Sequence, residues 1–174
     1  PALLLVGSGL VGPNREGGVQ QQDPLLGPVP QGTMVGHGKI ENGVLHGGEP
    51  RGSWLMNEKE YADSILEWES KLGETGNSGC ALRVPMRGDP AFDGMELQMA
   101  DFRYNPQAKD SELTGGIYRA IAPTKQVYKP TEWNRYQVTL KGSRLKAVLN
   151  GEVIQDIDRD AQSQEVKRHD GSSA

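Results

Sequence analysis

Strict alternation between apolar and polar residues constrains the fold of this chain more than any other feature. In the segment GMELQMA, Met95, Leu97 and Met99 alternate with Glu96 and Gln98. Because successive side chains of a β-strand point to opposite faces, this segment predicts a strand with one apolar face and one polar face. We therefore expect the methionines and the leucine to lie in a core, and the acid and the amide to face away from it.

Segments of the same kind recur along the chain and are separated by loops that contain Gly and Pro. The predicted strands cover residues 43–48, 53–56, 63–71, 78–84, 94–100, 115–121, 133–140 and 144–157. The last of these contains Asn150-Gly151 between two apolar runs, which is typical of a two-residue type I′ hairpin turn. Only NEKEYADSI could begin a helix, and it is short. Many short strands and almost no helix favour an antiparallel β-sandwich.

Length and composition favour one folded domain that follows an extension. A chain of 174 residues suits one domain with a substantial core. Residues 12–33 are rich in Gly, Pro and Gln, which is typical of a linker or a long loop. We therefore divide the chain into an N-terminal extension or linker, residues 1–33, and a β-sandwich domain, residues 34–174. The apolar start PALLLVGSGLVG fits the end of a secretory signal or a strand, and we favour an exported protein.

The composition disfavours several classes of function. The net charge is −4 and no run of Lys and Arg forms a basic patch, so nucleic acid is not an expected partner. No stretch approaches the roughly 20 apolar residues of a membrane span. The single Cys80 excludes an intrachain disulfide and is interpreted as a core residue. The three histidines lack the spacing of a metal site such as HExxH, and the sequence has no GxSxG motif or phosphate-binding loop.

A candidate site lies on the polar face of the GMELQMA strand. If the strand that contains Arg83 belongs to the same sheet, Arg83 shares this face with Glu96 and Gln98, because its apolar neighbours face the core. The same alternation adds Tyr118, which is flanked by small residues that suit the floor of a groove. These four residues would combine one base or ligand, two hydrogen-bonding groups and a cation. The alternative is a polar face that only meets water.

Asp101 is a second acidic candidate with a different geometry. It lies five residues after Glu96, so on a regular strand it faces the other way, about 16 Å further along. This spacing does not suit the acid–base pair of a conventional glycosidase, whose carboxyl groups lie roughly 5–10 Å apart. A bulge or the end of the strand could redirect Asp101.

Five segments occur in an order that carries a family resemblance: NSGCALR, GMELQMAD, TGGIY, KPTEWN and LNG. Together they resemble the bacterial 3-keto-disaccharide hydrolase family, and the resemblance spans about residues 40–158. Each segment alone is short, but the combination is specific. Two features depart from the family. The Trp usual near its first strand is absent from GTMVGHGKIENGVL, and its closing G-x-I-G-x-Q strand does not follow Asp170.

The resemblance implies a fold and an activity. The fold is an all-β, antiparallel jelly-roll β-sandwich of the concanavalin A type, here expected to lack its final C-terminal strands. Members are usually exported, so we expect a periplasmic or extracellular bacterial protein. The implied activity is the cleavage of 3-keto-glycosides or 3-keto-disaccharides, which makes carbohydrate the expected partner.

The implied chemistry begins at the ketone. A ketone at C3 makes the C2 proton acidic, a base removes that proton, and a positioned donor stabilises the enolate. The leaving group at C1 then departs by elimination, and addition of water would complete a net hydrolysis. This route needs one base and one enolate stabiliser rather than two opposed carboxyl groups, which agrees with the spacing of Glu96 and Asp101.

The resemblance also implies roles for individual residues. Glu96 is the base or a metal ligand, and Asp101 is the next catalytic candidate or a supporting group. The residues implied in substrate binding or its support are Arg83, Gln98, Tyr118, Lys129 and Asn77. Whether a divalent metal takes part is left open, and no cofactor is assigned.

Two other functions stay open at this point. A non-catalytic carbohydrate-binding module could use the same fold, because fold does not fix function. Such modules usually expose aromatic platforms, and the aromatic content of 6% argues against this alternative. The second of these alternatives is a structural or adhesion domain of a larger protein. Turnover of a 3-keto-glucoside but not of its unoxidised parent would support the enzyme, whereas binding without turnover would support the module.

Overall fold

The computed structural model describes residues 2–7, 10–12, 39–41, 44–46, 54–56, 60–85, 89, 91–163 and 165–174. Within these ranges the chain forms eleven β-strands, two short 3₁₀ turns and no α-helix. The strands are β1 Ala2–Gly7, β2 Leu10–Gly12, β3 Lys39–Glu41, β4 Val44–His46, β5 Trp54–Met56, β6 Ser64–Lys71, β7 Asn77–Val84, β8 Met95–Ala100, β9 Asn134–Lys141, β10 Arg144–Leu149 and β11 Glu152–Asp158.

These strands form two antiparallel sheets. Sheet A has the order β5-β1-β7-β8, and sheet B has the order β11-β10-β9-β6-β2-β4-β3. All of the strand pairings are antiparallel. The all-β jelly-roll sandwich predicted from the sequence is therefore confirmed. No helix of the described residues has the length and apolar character that a membrane crossing requires.

The hydrophobic core lies between the two sheets. Sheet B contributes the stacked rings of Trp68 and Tyr136, whose centroids are 4.9 Å apart and whose planes differ by 4°. The other buried members of the core are Leu72, Cys80, Leu82, Leu97, Met99, Ile117, Val138, Leu140, Leu145, Ala147, Leu149 and Ile154. Burial of one large apolar side chain contributes about 1.5–3 kcal/mol, so this cluster is the main source of stability.

The register predicted for the GMELQMA strand is confirmed in β8. Leu97 and Met99 are fully buried, and Met95 is half-buried and packs against the core cluster. Glu96 and Gln98 therefore lie on the opposite face of sheet A, which we call the outer face. Both are nonetheless buried, with 6% and 4% of their surfaces exposed, so this face is covered rather than open to water.

The predicted hairpin turn at Asn150-Gly151 is also confirmed. Leu149 pairs with Glu152 across a two-residue loop, and φ is 52° at Asn150 and 87° at Gly151. Positive φ at both central residues is the requirement of a type I′ turn. The Asn150 side chain adds a long-range contact, because its Nδ2 donates to the Val127 carbonyl at 2.9 Å.

The single strand predicted for residues 115–121 is wrong. The first part does run along β8, where the Gln98 N–H donates to the Gly116 carbonyl at 2.8 Å. The chain then reverses, and Ile117 and Ile121 exchange two hydrogen bonds of 2.9 and 3.0 Å. Arg119 lies at the reversal with φ of 59°. The period-2 pattern concealed this turn because an Arg in left-handed backbone carries no sequence signal comparable to Gly.

The N-terminal residues take part in both sheets. β1 lies between β5 and β7 in sheet A, and β2 pairs with β4 and β6 in sheet B. The predicted extension over residues 1–33 thus contains two strands, whereas residues 13–33 lie outside the described residues. A domain boundary at Met34 stays a prediction, as does the expected lack of final C-terminal strands.

Candidate functional site

The candidate site is built from three neighbouring segments on the outer face of sheet A. In β7, Ala81 lies directly opposite Glu96. On the other side of β8, the Tyr118 N–H donates to the Glu96 carbonyl at 2.9 Å, which places Tyr118 opposite Glu96 as well. Side chains that are directly opposite in antiparallel pairing have Cβ atoms about 4.5–5.5 Å apart. Glu96 and Tyr118 are therefore neighbours on one face.

The next row of the same face is formed by Gln98 between two glycines. Gly79 lies opposite Gln98 in β7, and Gly116 pairs with it on the other side. With Ala81, these small residues leave room for the longer side chains of β8 to lie close to the backbone. The predicted flanking of Tyr118 by small residues along one strand does not apply, because the chain reverses between Ile117 and Ile121.

The Glu96 carboxyl group is the electrostatic feature that distinguishes the site. It makes no hydrogen bond within the described part of the chain, although only 6% of the residue is exposed. Burial raises its pKa to about 7, and the negative charge of Asp89 adds to the increase. A carboxyl group with a pKa near neutrality is half ionised at pH 7 and can accept a proton as a general base.

Gln98 is fixed by its own hydrogen bonds. Its Nε2 donates to the Asn77 Oδ1 and to the Glu112 carbonyl, each at 3.3 Å. Its Oε1 accepts from the Met99 N–H at 3.2 Å. The structure therefore brings together Gln98 and Asn77, two of the predicted site residues, and Gln98 joins the β7 end of the face to the loop that contains Glu112.

Tyr118, opposite Glu96, carries the hydroxyl group nearest in register to the carboxyl group of the site. The ring is half-buried and packs edge-on against Phe92, with centroids 5.9 Å apart. The pKa of Tyr118 is raised, mainly by burial, so the hydroxyl stays protonated. The hydroxyl makes no hydrogen bond with any described residue, and it is therefore available to donate to a ligand.

Phe92 and His169 complete an aromatic cluster that the sequence reasoning missed. The exposed His169 ring packs edge-on against Phe92 with centroids 5.3 Å apart, and its centroid lies 6.3 Å from that of Tyr118. An ion pair between Arg168 and Asp93 holds the segment in place. No local pattern could have indicated this contact, because it joins residues far apart in the sequence.

The structure does not bring Arg83 to Glu96, and the predicted sharing of a face is wrong for this residue. The Arg83 guanidinium donates to the Ala62 carbonyl at 3.0 Å and lies 3.9 Å from the Asp63 carboxylate, at the start of β6. The physical reason is a φ of 55° at Arg83, which interrupts the alternation of β7. A left-handed residue inside a strand redirects its side chain, as in a bulge.

Asp101 belongs to a separate, closed cluster. It is fully buried, and its carboxylate accepts from the Arg103 backbone N–H, the Arg103 guanidinium and the Tyr128 hydroxyl at 2.7–3.0 Å. The Arg103 side chain is the main cause that lowers the pKa of Asp101. The lone pairs of the Asp101 carboxylate are thus occupied, and Asp101 is a weak base. The geometry gives no support to the predicted catalytic role of Asp101.

Lys129 lies beside this second cluster, next to Tyr128. Its backbone N–H and carbonyl bond to the Asn134 side chain at 2.9 and 2.8 Å, while the residue itself is exposed. The supporting role of Lys129 therefore stays a prediction, because the hydrogen bonds described for this residue involve its backbone and Asn134 rather than the site. Across the described ranges, no group of three or more His, Cys, Asp and Glu side chains could hold a metal ion.

Fold and site together define a jelly-roll β-sandwich that carries, on the outer face of one sheet, a buried carboxyl group without a hydrogen-bond partner among the described residues. Among known protein families, residues 13–173 match the 3-keto-alpha-glucoside-1,2-lyase-like domain. The chain belongs to this family, and the resemblance inferred from its motifs is confirmed. The match includes residues 159–173, so the segment that carries His169 is part of the family domain.

Solved structures agree with this assignment. A proposed glycosyl hydrolase from Parabacteroides distasonis ATCC 8503 is 26% identical with a TM-score of 0.58, over 67% of this chain. A second from the same organism is 30% identical with a TM-score of 0.54, over 61% of this chain. This chain spans only 61% and 53% of their lengths. No curated protein matches the chain.

Proposed function

We propose that this protein cleaves glycosides of 3-keto sugars, with Glu96 as the base that removes the C2 proton. The family match and the names of the two similar structures support action on glycosides in general. The observation that carries the specific proposal is Glu96 itself, a buried carboxyl group without a hydrogen-bond partner in the described residues and with a pKa of about 7.

The proposed reaction uses one base and one donor. Glu96 takes the proton from C2, and the electrons of the C2–H bond move toward the C3 carbonyl oxygen, where Tyr118 donates a hydrogen bond to the developing oxyanion. The enolate then re-forms the C3 carbonyl and a C1–C2 double bond as the C1–O bond breaks. The leaving oxygen takes the proton back from Glu96. Addition of water, with oxygen at C1 and hydrogen at C2, would give net hydrolysis.

A single base suits this reaction better than the two-carboxyl route of conventional glycosidases. That route needs an acid and a base or nucleophile on opposite sides of the glycosidic bond. The carboxylate of the other predicted acid, Asp101, already accepts hydrogen bonds from Arg103 and Tyr128 and has a lowered pKa.

Export of the protein to the periplasm or beyond stays a prediction.

The first test is turnover of a 3-keto-glucoside by wild type, Glu96→Gln and the control Glu67→Gln. The glutamine keeps the shape of Glu96 but cannot take a proton, so we expect turnover to fall about 100-fold or more while sugar binding persists. Glu67 lies on an exposed face of sheet B, and its variant should behave as wild type. Near-normal turnover by Glu96→Gln would exclude Glu96 as the base.

The pH profile gives a second measure. Since the base must be ionised, kcat/KM of the wild type should rise with pH, reach half its maximum at about pH 7 and level off above it. The unoxidised parent glucoside should not react, because its C2 proton is not acidic. Binding of both sugars without turnover of either would instead support a non-catalytic carbohydrate-binding module.

A further inference from the structure

Gly79 meets the Glu96 carboxyl group at a distance that no side chain would permit. A Cβ atom built on Gly79 would lie 1.8 Å from Glu96 Oε1 and 2.6 Å from both Cδ and Cγ. Real Cβ atoms essentially never approach another heavy atom within 3.0 Å. The Glu96 side chain therefore lies flat over the backbone of β7, in the space that a side chain at residue 79 would fill.

The backbone conformation does not explain the glycine. Gly79 lies inside β7, paired with Val6 on one side and Gln98 on the other, and its φ is not in the left-handed region. Glycine inside a strand costs roughly 0.5–1 kcal/mol relative to alanine, because the unfolded chain is more flexible. A close approach by another group is a recognised reason for glycine in a strand, and Glu96 is the group that approaches here.

We infer that Gly79 is a positioning residue that fixes the Glu96 carboxyl group beside Tyr118. This inference rests on the proposed role of Glu96 as the base and adds the residue that sets its location. A methyl group at residue 79 would force the carboxyl group off β7 and away from its buried position. Because the displaced atoms, from Cγ outward, all belong to one side chain, a rotation about its Cα–Cβ bond can move them without a change in the strand pairing.

Gly79→Ala should therefore lower activity without lowering stability. In Gly79→Ala, we expect kcat for the 3-keto-glucoside to fall about 10- to 100-fold, the scale of a misplaced catalytic group, with a smaller change in KM. The melting temperature should stay close to that of the wild type. The midpoint of the pH profile should move below 7, since a less buried carboxyl group returns toward its usual pKa.

Gly76→Ala provides a matched control in the same region. A Cβ there would meet Leu72 Cβ at 2.8 Å and the Gly73 backbone at 3.1 Å, but not Glu96. This variant should lower the melting temperature while the folded fraction keeps the wild-type kcat and pH midpoint. If Gly79→Ala and Gly76→Ala behaved alike, Gly79 would have only a structural role and the inference would be overturned.

A titration of the Glu96 carboxyl carbon by NMR makes the inference testable apart from activity. The wild-type carboxyl group should titrate near pH 7, and the Gly79→Ala carboxyl group at lower pH. An unchanged titration midpoint, or a wild-type kcat in Gly79→Ala, would overturn the role of Gly79. Retained turnover in Glu96→Gln would overturn the proposed base, and the titration would still decide whether Gly79 positions the carboxyl group.

Discussion

Two acidic residues at opposite ends of β8, Glu96 near its start and Asp101 just after its end, differ in basicity because their surroundings differ. Glu96 has no partner in the described residues, and burial raises its pKa to about 7. Asp101 is surrounded by donors from Arg103 and Tyr128, which lower its pKa. Environment rather than residue type thus decides which acid can act as a base.

Asp101→Asn tests this difference at the residue scale. Loss of the charged hydrogen bonds to Arg103 and Tyr128 should lower the melting temperature by about 5 °C or more at pH 7. Since a lowered pKa contributes stability that disappears as pH falls through it, the deficit should shrink in acid. Turnover per folded molecule should remain near that of wild type. A large loss of kcat with unchanged melting would instead restore Asp101 as a catalytic candidate.

At the scale of elements, the β10–β11 hairpin shows how one turn serves two purposes. Its two central residues supply the positive φ values that close the turn. The Asn150 side chain also donates to Asn134 Oδ1 at 2.8 Å and to the Val127 carbonyl. The turn therefore anchors the loop that precedes β9 as well as joining β10 to β11.

Gly151→Val should destabilise the protein without a direct effect on chemistry. Valine resists the φ of 87° that Gly151 adopts, so we expect a loss of about 1–3 kcal/mol in the free energy of unfolding. Gly73→Val is the control, because a Cβ there has no neighbour within 4 Å and φ is not in the left-handed region. Equal melting temperatures for Gly151→Val and wild type in thermal scans would contradict the turn assignment.

At the scale of the whole molecule, the buried carboxyl group of Glu96 should reduce stability at high pH. Its pKa is raised from about 4.5 in the unfolded chain to about 7, so the folded state binds more protons between these values. The contribution of Glu96 to the free energy of unfolding is therefore fully present below pH 4.5 and is lost as pH rises through 7.

Glu96→Gln removes this titration and should make the protein relatively more stable in base. Relative to wild type, the variant should gain about 2 kcal/mol between pH 5.5 and pH 8.5, measured by urea unfolding. Glu67→Gln, which replaces an exposed acid on sheet B in the same way, is the control for the substitution itself. A stability difference independent of pH would mean that the pKa of Glu96 is not raised by burial as described above.

Local patterns predicted most of the fold but only part of the site. Alternation placed Leu97 and Met99 in the core and Glu96 on the opposite face, because a strand with one buried face has only one acceptable register. Alternation failed where left-handed backbone interrupts it, at Arg83 and Arg119. A non-glycine residue with positive φ leaves little trace in the sequence, so neither redirection was predictable.

The parts of the site that depend on distant residues were also beyond local reasoning. The contact of His169 with Phe92 and Tyr118 joins segments that lie about 50 to 75 residues apart in the sequence. The saturation of Asp101 by Tyr128 depends on a loop whose path no periodicity specifies. Such contacts arise from the packing of the whole sandwich rather than from any one segment.

The close approach of Gly79 and Glu96 also restricts the order in which this chain can change over evolutionary time. A larger residue at position 79 is harmful while a long acid occupies position 96, yet it would be tolerated once that acid were replaced by a short side chain. The two positions are therefore epistatic. A descendant that had lost the acid would be free to accumulate a side chain at position 79, and that second change would then block an easy return of the acid to position 96.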